Sequence, residues 1–303
     1  MSNRIAAHSV IVGVDRSPQA REAVRWAVHE AVGRNAPLAI VHVTDSLPAV
    51  ASTLDWSVGQ IPPEVVQAQQ DAGSTILAEA ISLAHECASA GERPEIIGEL
   101  RFGKPAPTLV GLSKQAQIVV VGCRGETGWQ HRRLLGSVST GVVHHAHCPV
   151  AVIHDQPASS PSAQQSPVLL GIDGSPASER ATEIAFGEAS WRGVDLVALH
   201  VLADSTATNG FFAMEWSALQ STTQKSLAER LAHWQKRYPT VNVSVEVEFE
   251  NPVRQLLARA EDAQLVVVGS HGRGGFTGML LGSVSTAVSQ ESRVPVIVAR
   301  GGS

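Results

Sequence analysis

Val10-Ile-Val-Gly-Val-Asp15-Arg-Ser-Pro18 and Val168-Leu-Leu-Gly-Ile-Asp173-Gly-Ser-Pro176 are one motif written twice in the same chain. Each copy opens on a short run of apolar residues, mostly β-branched in the first. Such a run, without polar alternation, reads as a parallel strand buried on both faces. Each then passes through an aspartate to Ser-Pro, the signature of a helix N-cap followed by proline at the first helical position. Beyond Pro18, the residues Ala20, Ala23, Val24, Ala27, Val28 and Ala31 fall at i, i+3, i+4, i+7 and form one apolar stripe. A strand feeding directly into an amphipathic helix is the first half of a βαβ unit.

Further out, the duplication continues in order. Leu38-Ala-Ile-Val-His42-Val43 answers Leu196-Val-Ala-Leu-His200-Val201, and Val119-Val-Val-Gly122 answers Val266-Val-Val-Gly269. Leu134-Leu-Gly-Ser-Val-Ser-Thr140 returns as Leu280-Leu-Gly-Ser-Val-Ser-Thr286, and Cys148-Pro-Val-Ala-Val152 as Val294-Pro-Val-Ile-Val298. The offset between copies is 158 at the first two blocks, then 147 and 146, so most of the missing length lies between the second and fourth strands. In the first copy, strands are expected near 10–15, 38–44, 95–100, 117–122 and 149–154. Helices are expected over the stripe, over 64–90, over 105–116 and from Gly136-Ser137. The pattern βαβαβαβαβ with right-handed crossovers implies two tandem Rossmann-like, doubly wound α/β domains, each with a five-stranded parallel sheet flanked by helices. The expected boundaries are residues 1–154 and 167–303. The Pro-, Ser- and Gln-rich segment 155–166 between them reads as a linker.

Composition limits the function. The 303 residues are 44% apolar and 17% charged, too apolar for a disordered chain and long enough for two domains. No apolar run approaches membrane-spanning length, and the first nine residues carry no apolar segment of the kind a secretory signal needs. Cys87, Cys123 and Cys148 form no CxxC pair, which fits a reducing compartment. A net charge of −5 argues against sequence-independent nucleic-acid binding. A cytoplasmic protein without membrane insertion is expected.

In an open parallel sheet, ligands sit beyond the carboxyl ends of the strands, where strand order reverses. After the fourth strand of the second copy comes Gly269-Ser270-His271-Gly272-Arg273-Gly274-Gly275, then Gly282-Ser283-Val284, a spacing of G-x2-G-x9-G-S. Glycines let successive N–H groups turn into one concavity, and Gly272, Gly274 and Gly275 are expected to supply positive φ. Gly282-Ser283 then opens a helix whose unbonded N–H groups and dipole favour an anion. The first copy has Gly122-Cys123-Arg124-Gly125 and Gly136-Ser137-Val138. Together these describe a phosphate cradle. A tight surface turn is the competing reading of a lone glycine loop, and the second copy of the loop weighs against it. Neither loop contains the lysine of a P-loop, and the first strand leads into aspartate rather than GxGxxG. Asp15 and Asp173, just past Gly13 and Gly171 of the first strands, stand where a carboxylate can accept hydrogen bonds from a ribose or base. Each could instead only cap the following turn. Backbone groups at Val43 and Val201 can read a base edge, and Asp204 stands close enough to approach the sugar.

These residues carry a resemblance. The strand-one Asp-x-Ser-Pro, the strand-two His-Val, the strand-four Val-Val-Val-Gly and G-x2-G-x9-G-S together resemble the tandem members of the universal stress protein family. The likeness runs from about residue 9 to 300 and is similar to the two-domain actinobacterial forms associated with stress, hypoxia and dormancy. The resemblance implies ATP as ligand, with or without Mg²⁺. Asp15, Asp173, Val43 and Val201 would lie at the adenosine end. Gly122, Gly125, Gly136, Ser137, Gly269, Gly272, Gly282 and Ser283 would hold the phosphates. One departure stands out: ten residues, Glu126 to Leu135, separate Gly125 from Gly136 where the pattern has nine. Glu126 takes the place of Arg273, with Arg124, Arg132 and Arg133 available to offset its charge, so the second site is expected to bind more tightly.

Other candidates are weaker. His144-His145-Ala-His147-Cys148 looks like a metal cluster, yet neighbouring helical residues point to different faces and the second copy has Gln290-Glu-Ser-Arg293 there. Cys123, matched by Ser270, invites a redox reading, and His42 and His200 a general-base reading. A histidine closing a buried strand is more often a hydrogen-bonded packing residue. No catalytic set can be argued from spacing, so the expectation is an ATP-binding regulatory protein acting through a signalling partner. A slow ATPase or phosphotransferase holding Mg²⁺ on Asp15 and Asp173 is the second reading. A nucleotide-free scaffold is the third, pairing through edge strands as a homodimer or as a pseudo-dimer within the chain.

Overall fold

The computed structural model describes residues 5–44, 63–88, 93–125, 134–154, 165–202, 212–273 and 280–300. It contains two compact units, within Met1–His154 and Asp155–Gly301. The first runs β1 (Val10–Val14), α1 (Pro18–Gly33), β2 (Leu38–Thr44), α2 (Pro63–Cys87), β3 (Ile96–Phe102), α3 (Pro105–Leu112), β4 (Ile118–Gly122), α4 (Ser137–His145) and β5 (Val150–Ile153). Its strands are parallel in the order β3-β2-β1-β4-β5. The second runs β6 (Val168–Gly171), α5 (Pro176–Arg192), β7 (Leu196–Leu202), α6 (Phe212–Arg237), β8 (Val243–Phe249), α7 (Pro252–Ala260), β9 (Leu265–Gly269), α8 (Ser283–Glu291) and β10 (Val296–Ala299). Its parallel order, β8-β7-β6-β9-β10, repeats the first.

The order follows from the chain. From β1 it steps outward to β2 and β3, then crosses back to β4 on the other side of β1. Right-handed crossovers therefore put α1 and α2 on one face, in contact with each other, and α3 and α4 on the opposite face. The central strands are covered on both sides: Val10, Val12, Val119, Val120, Leu170 and Val267 are fully buried. Each such side chain contributes about 1.5–3 kcal/mol on burial. The stripe of α1 (Ala20, Ala23, Val24, Ala27, Val28, Ala31) is buried as its spacing requires.

One detail departs from the sequence reading and two add to it. The helix expected over 105–116 ends at Leu112. There Ser113 Oγ donates to Val110 O (2.7 Å) and accepts from His147 N (2.9 Å), which turns the chain out of the helix. Gly13 and Gly171 are packing positions. A Cβ on Gly13 would stand 2.8 Å from Leu109 Cδ1, and one on Gly171 3.2 Å from Leu256 Cδ2, so the missing side chains admit α3 and α7. Finally, Glu30 and Glu188 are buried inside α1 and α5. Arg34 and Arg192, four residues on, pair with them at 2.5 and 3.1 Å. Of the segment 155–166, only Gln165 and Ser166 are described.

Candidate functional site

The strand order reverses between β1 and β4, and between β6 and β9, and the candidate residues gather at those carboxyl ends. In the second unit Asp173 follows β6. Its Oδ1 accepts from Ser175 N (2.9 Å), the bond that shapes the turn into α5. Its Oδ2 accepts from Arg273 N (2.9 Å), one hundred residues away in the loop after β9. The N-cap serine adds a second tie. Ser175 Oγ accepts from Ser178 N (3.2 Å) and donates to His271 O (3.1 Å). Turn-capping and loop-holding are thus both carried by one short segment, Asp173 to Ser175.

The first unit repeats the arrangement. Asp15 Oδ1 accepts from Ser17 N (2.9 Å) and Ser17 Oγ (2.5 Å), while Ser17 Oγ accepts from Ala20 N (3.1 Å). Gly125 lies over the other carboxylate oxygen: a Cβ there would stand 2.7 Å from Asp15 Oδ2. Gly272 has the same relation to Asp173 Oδ2, again at 2.7 Å. The requirement for glycine at 125 and 272 is therefore this close approach. The positive φ expected at Gly272 is absent; among the described glycines only Gly103, Gly174 and Gly193 have it. Gly274, Gly275, Asp204, Glu126, Arg132 and Arg133 lie outside the described residues.

Gly122 and Gly269 close β4 and β9, and both face helices. A Cβ would stand 2.9 Å from the backbone carbonyl carbon of Gln19, or of Ala177, so glycine lets the first turn of α1 or α5 sit against the strand end. Beyond them, Gly136 N donates to Cys123 O (2.8 Å) and Gly282 N to Ser270 O (2.7 Å), which folds each loop back onto its strand. Gly136 and Gly282 are extended N-caps with no side-chain cap, unlike Ser17, Ser175 and Asn251 at α1, α5 and α7. The first turns of α4 and α8, Ser137-Val138 and Ser283-Val284, therefore present backbone N–H groups with no capping side chain. The third residues of these helices anchor them. Ser139 Oγ donates to Gly122 O (2.6 Å), and Ser285 Oγ lies 3.0 Å from Ser270 O. Those serines stood in the repeated Gly-Ser-Val-Ser block, and the repetition was the available signal for their role.

At the end expected for adenosine, β1 ends at Val14 opposite His42, so β2 continues past its neighbour through Val43 and Thr44. His42 Nδ1 lies 2.8 Å from Val14 O, and His200 Nδ1 2.6 Å from Ile172 O. A carbonyl only accepts, so each Nδ1 carries the proton and each ring braces the residue before the aspartate. A cavity of about 610 Å³ opens beside Asp15 between α1 and α2, with Arg16, Arg21, Glu79 and Glu86 at its rim. It reaches Val14 and Asp15 but not Val43, Gly125 or Gly136, so it adjoins the expected cradle without containing it.

The remaining candidates have structural partners. Cys123 is 3% exposed, and its backbone N–H donates to Ile153 O (2.8 Å). His147 N donates to Ser113, and the buried Cys148 Sγ lies 3.4 Å from Pro149 O. Among the described residues no three His, Cys, Asp or Glu side chains converge as metal ligands would. No described helix is long and apolar enough to cross a membrane.

The molecule is thus a pair of doubly wound α/β units, each with a glycine loop packed close over the strand-one aspartate and an uncapped Gly-Ser helix start at the switch point. The sequence model of the universal stress protein family matches residues 7–154 and again 166–300, and the chain belongs to that family. It is 48% identical over 300 residues to universal stress protein Rv2623 of Mycobacterium tuberculosis, covering 99% of each chain. A universal stress protein of Mycolicibacterium smegmatis is 47% identical over 294 residues, 97% of each. The crystal structure of a universal stress protein from Archaeoglobus fulgidus shares the fold at 22% identity, with a TM-score of 0.68 over 97% of this chain and 96% of that one.

Proposed function

We propose that the chain is an ATP-binding regulatory protein of its family, coupling nucleotide occupancy to stress or growth signalling through a partner. The observation that carries this reading is the paired architecture at the switch points. In the second unit Asp173 and Ser175 hold the strand-four loop, and in the first Ser17 reaches it at Arg124 O (3.4 Å), each beside an α-helix whose first N–H groups have no side-chain cap. A phosphate supplies the missing acceptor and matches the positive end of the helix dipole. The family likeness supports adenine as the base, with Val43 and Val201 on the overhanging ends of β2 and β7.

Regulation is favoured over turnover by the state of the carboxylates. Asp15 and Asp173 already accept backbone N–H bonds. A ribose hydroxyl adds a further donor to such a carboxylate, which has about four acceptor positions. A bound Mg²⁺ would instead place its charge beside the positive ends of those N–H groups. Efficient phosphoryl transfer also calls for a positioned cation and a water-orienting group. The test is to denature the purified protein and identify released nucleotide by chromatography, then titrate the stripped chain with ATP. Release of adenine nucleotide and saturable ATP binding are expected. A chain that releases none and shows no heat of ATP binding would refute the reading.

A further inference from the structure

The second unit carries a charge arrangement that the cradle does not require. Gly174, at φ +77°, sits between Asp173 and the N-cap Ser175. The guanidinium groups of Arg230 and Arg273 both reach the spot where a Cβ on Gly174 would stand. Arg273 comes from the loop after β9 and Arg230 from α6, so two elements far apart in the chain aim like charges at one point. Arg230 donates to Gly174 O (3.4 Å) and pairs with Glu179 (2.5 Å). Among the described residues, no carboxylate pairs with the Arg273 guanidinium. Glu179 takes up Arg230, and the Asp173 carboxylate takes the backbone N–H of Arg273, so the Arg273 guanidinium stands beside Arg230 with no described carboxylate of its own.

We infer that Arg230 and Arg273 form a clamp for the terminal phosphates of a polyphosphate ligand, making the second site selective for nucleoside triphosphate over monophosphate. This rests on the ATP-binding reading of the same site. Repulsion between the guanidiniums is relieved when a multiply charged anion stands between them, and planar forks suit phosphate oxygens. An α-phosphate alone, held at the helix start, gains nothing from the pair, so discrimination falls on the distal phosphates. Glu179 keeps Arg230 turned toward Gly174 before the ligand arrives. The repeat alignment places Leu83 where Arg230 stands and Glu126 where Arg273 stands, while Arg16 and Arg21 replace Gly174 and Glu179. The clamp therefore belongs to the second unit.

The test uses the full chain carrying Gly125→Val to silence the first site. Calorimetric affinities for ATP, AMP and inorganic tripolyphosphate are compared with those after adding Arg230→Gln or Arg273→Gln. Each arginine change should weaken ATP and tripolyphosphate at least tenfold and leave AMP within twofold, with thermal unfolding unchanged. Equal weakening of ATP and AMP would make Arg230 a scaffold residue and overturn the clamp, as would unchanged ATP affinity. If the parent binds tripolyphosphate through these arginines but no adenine nucleotide, the ATP reading fails and the anion clamp stands. If the parent binds neither, both fail.

Discussion

Replacing Gly272 by alanine should cost the second site its ligand while sparing the fold, for a reason specific to one carboxylate. The new Cβ would stand 2.7 Å from Asp173 Oδ2, closer than real Cβ contacts come. Because backbone φ there is not positive, the conformation itself accepts alanine, and the strain is all in that contact. Either the carboxylate or the loop must move, and the first bond lost is Arg273 N to Asp173 Oδ2 (2.9 Å). A hydrogen bond to a charged group contributes about 1.5–3 kcal/mol. If that loss appears as the cost of re-forming the loop around ATP, affinity falls about tenfold to a hundredfold. Calorimetry on Gly125→Val/Gly272→Ala against Gly125→Val alone measures it, with thermal unfolding as the control for the fold. In an Asp173→Ala background the clash partner is gone, and Gly272→Ala should then change stability by less than about 0.5 kcal/mol, as an ordinary surface substitution does. Unaltered ATP affinity in the first comparison, or an equal stability cost with and without the carboxylate, would refute the reasoning.

Asp173→Asn should weaken adenosine and ATP alike in parallel titrations; loss confined to ATP would move Asp173 to the phosphate end. Gly269→Ala, whose Cβ meets the backbone of Ala177 at 2.9 Å, should instead destabilise the unit by about 1–3 kcal/mol in denaturant unfolding, since α5 cannot easily retreat. Arg34→Ala leaves the fully buried Glu30 without its ion pair and should cost about 3–5 kcal/mol by the same assay, whereas Glu30→Gln with Arg34 kept should cost less.

The strands, the Ser-Pro helix starts and the doubly wound order were legible because each depends on local pattern: apolar runs, a stripe at helical spacing, a cap before proline. The Gly-Ser starts of α4 and α8 were legible for the same reason. What the sequence hid depends on neighbours distant in the chain. Gly13, Gly122 and Gly272 look alike as letters, yet one admits Leu109, one admits α1 and one clears an aspartate. Glu30 reads as a solvated charge until α1 is packed, although its recurrence with Arg34 as Glu188 and Arg192 was a usable sign. Helix α3 ends early because Ser113 is claimed by His147, a partner that periodicity cannot reveal. Arg230 gave no signal, since nothing in α6 announces that its side chain reaches Gly174.

The aspartate after the first strand of each unit has an evolutionary consequence. In the second unit one carboxylate shapes the turn into α5 with one oxygen and fastens the strand-four loop with the other. A substitution there alters helix entry and loop order together, and with them the proposed ligand surface, so selection has no independent handle on any of them. Affinity at the proposed site is instead open to adjustment at residues that stand beside the strand-end turn without building it, such as Arg230, and duplication lets each unit accumulate such changes on its own. Divergence between the two halves is therefore channelled into the periphery of the sites, while the strand-end acid stays pleiotropically locked.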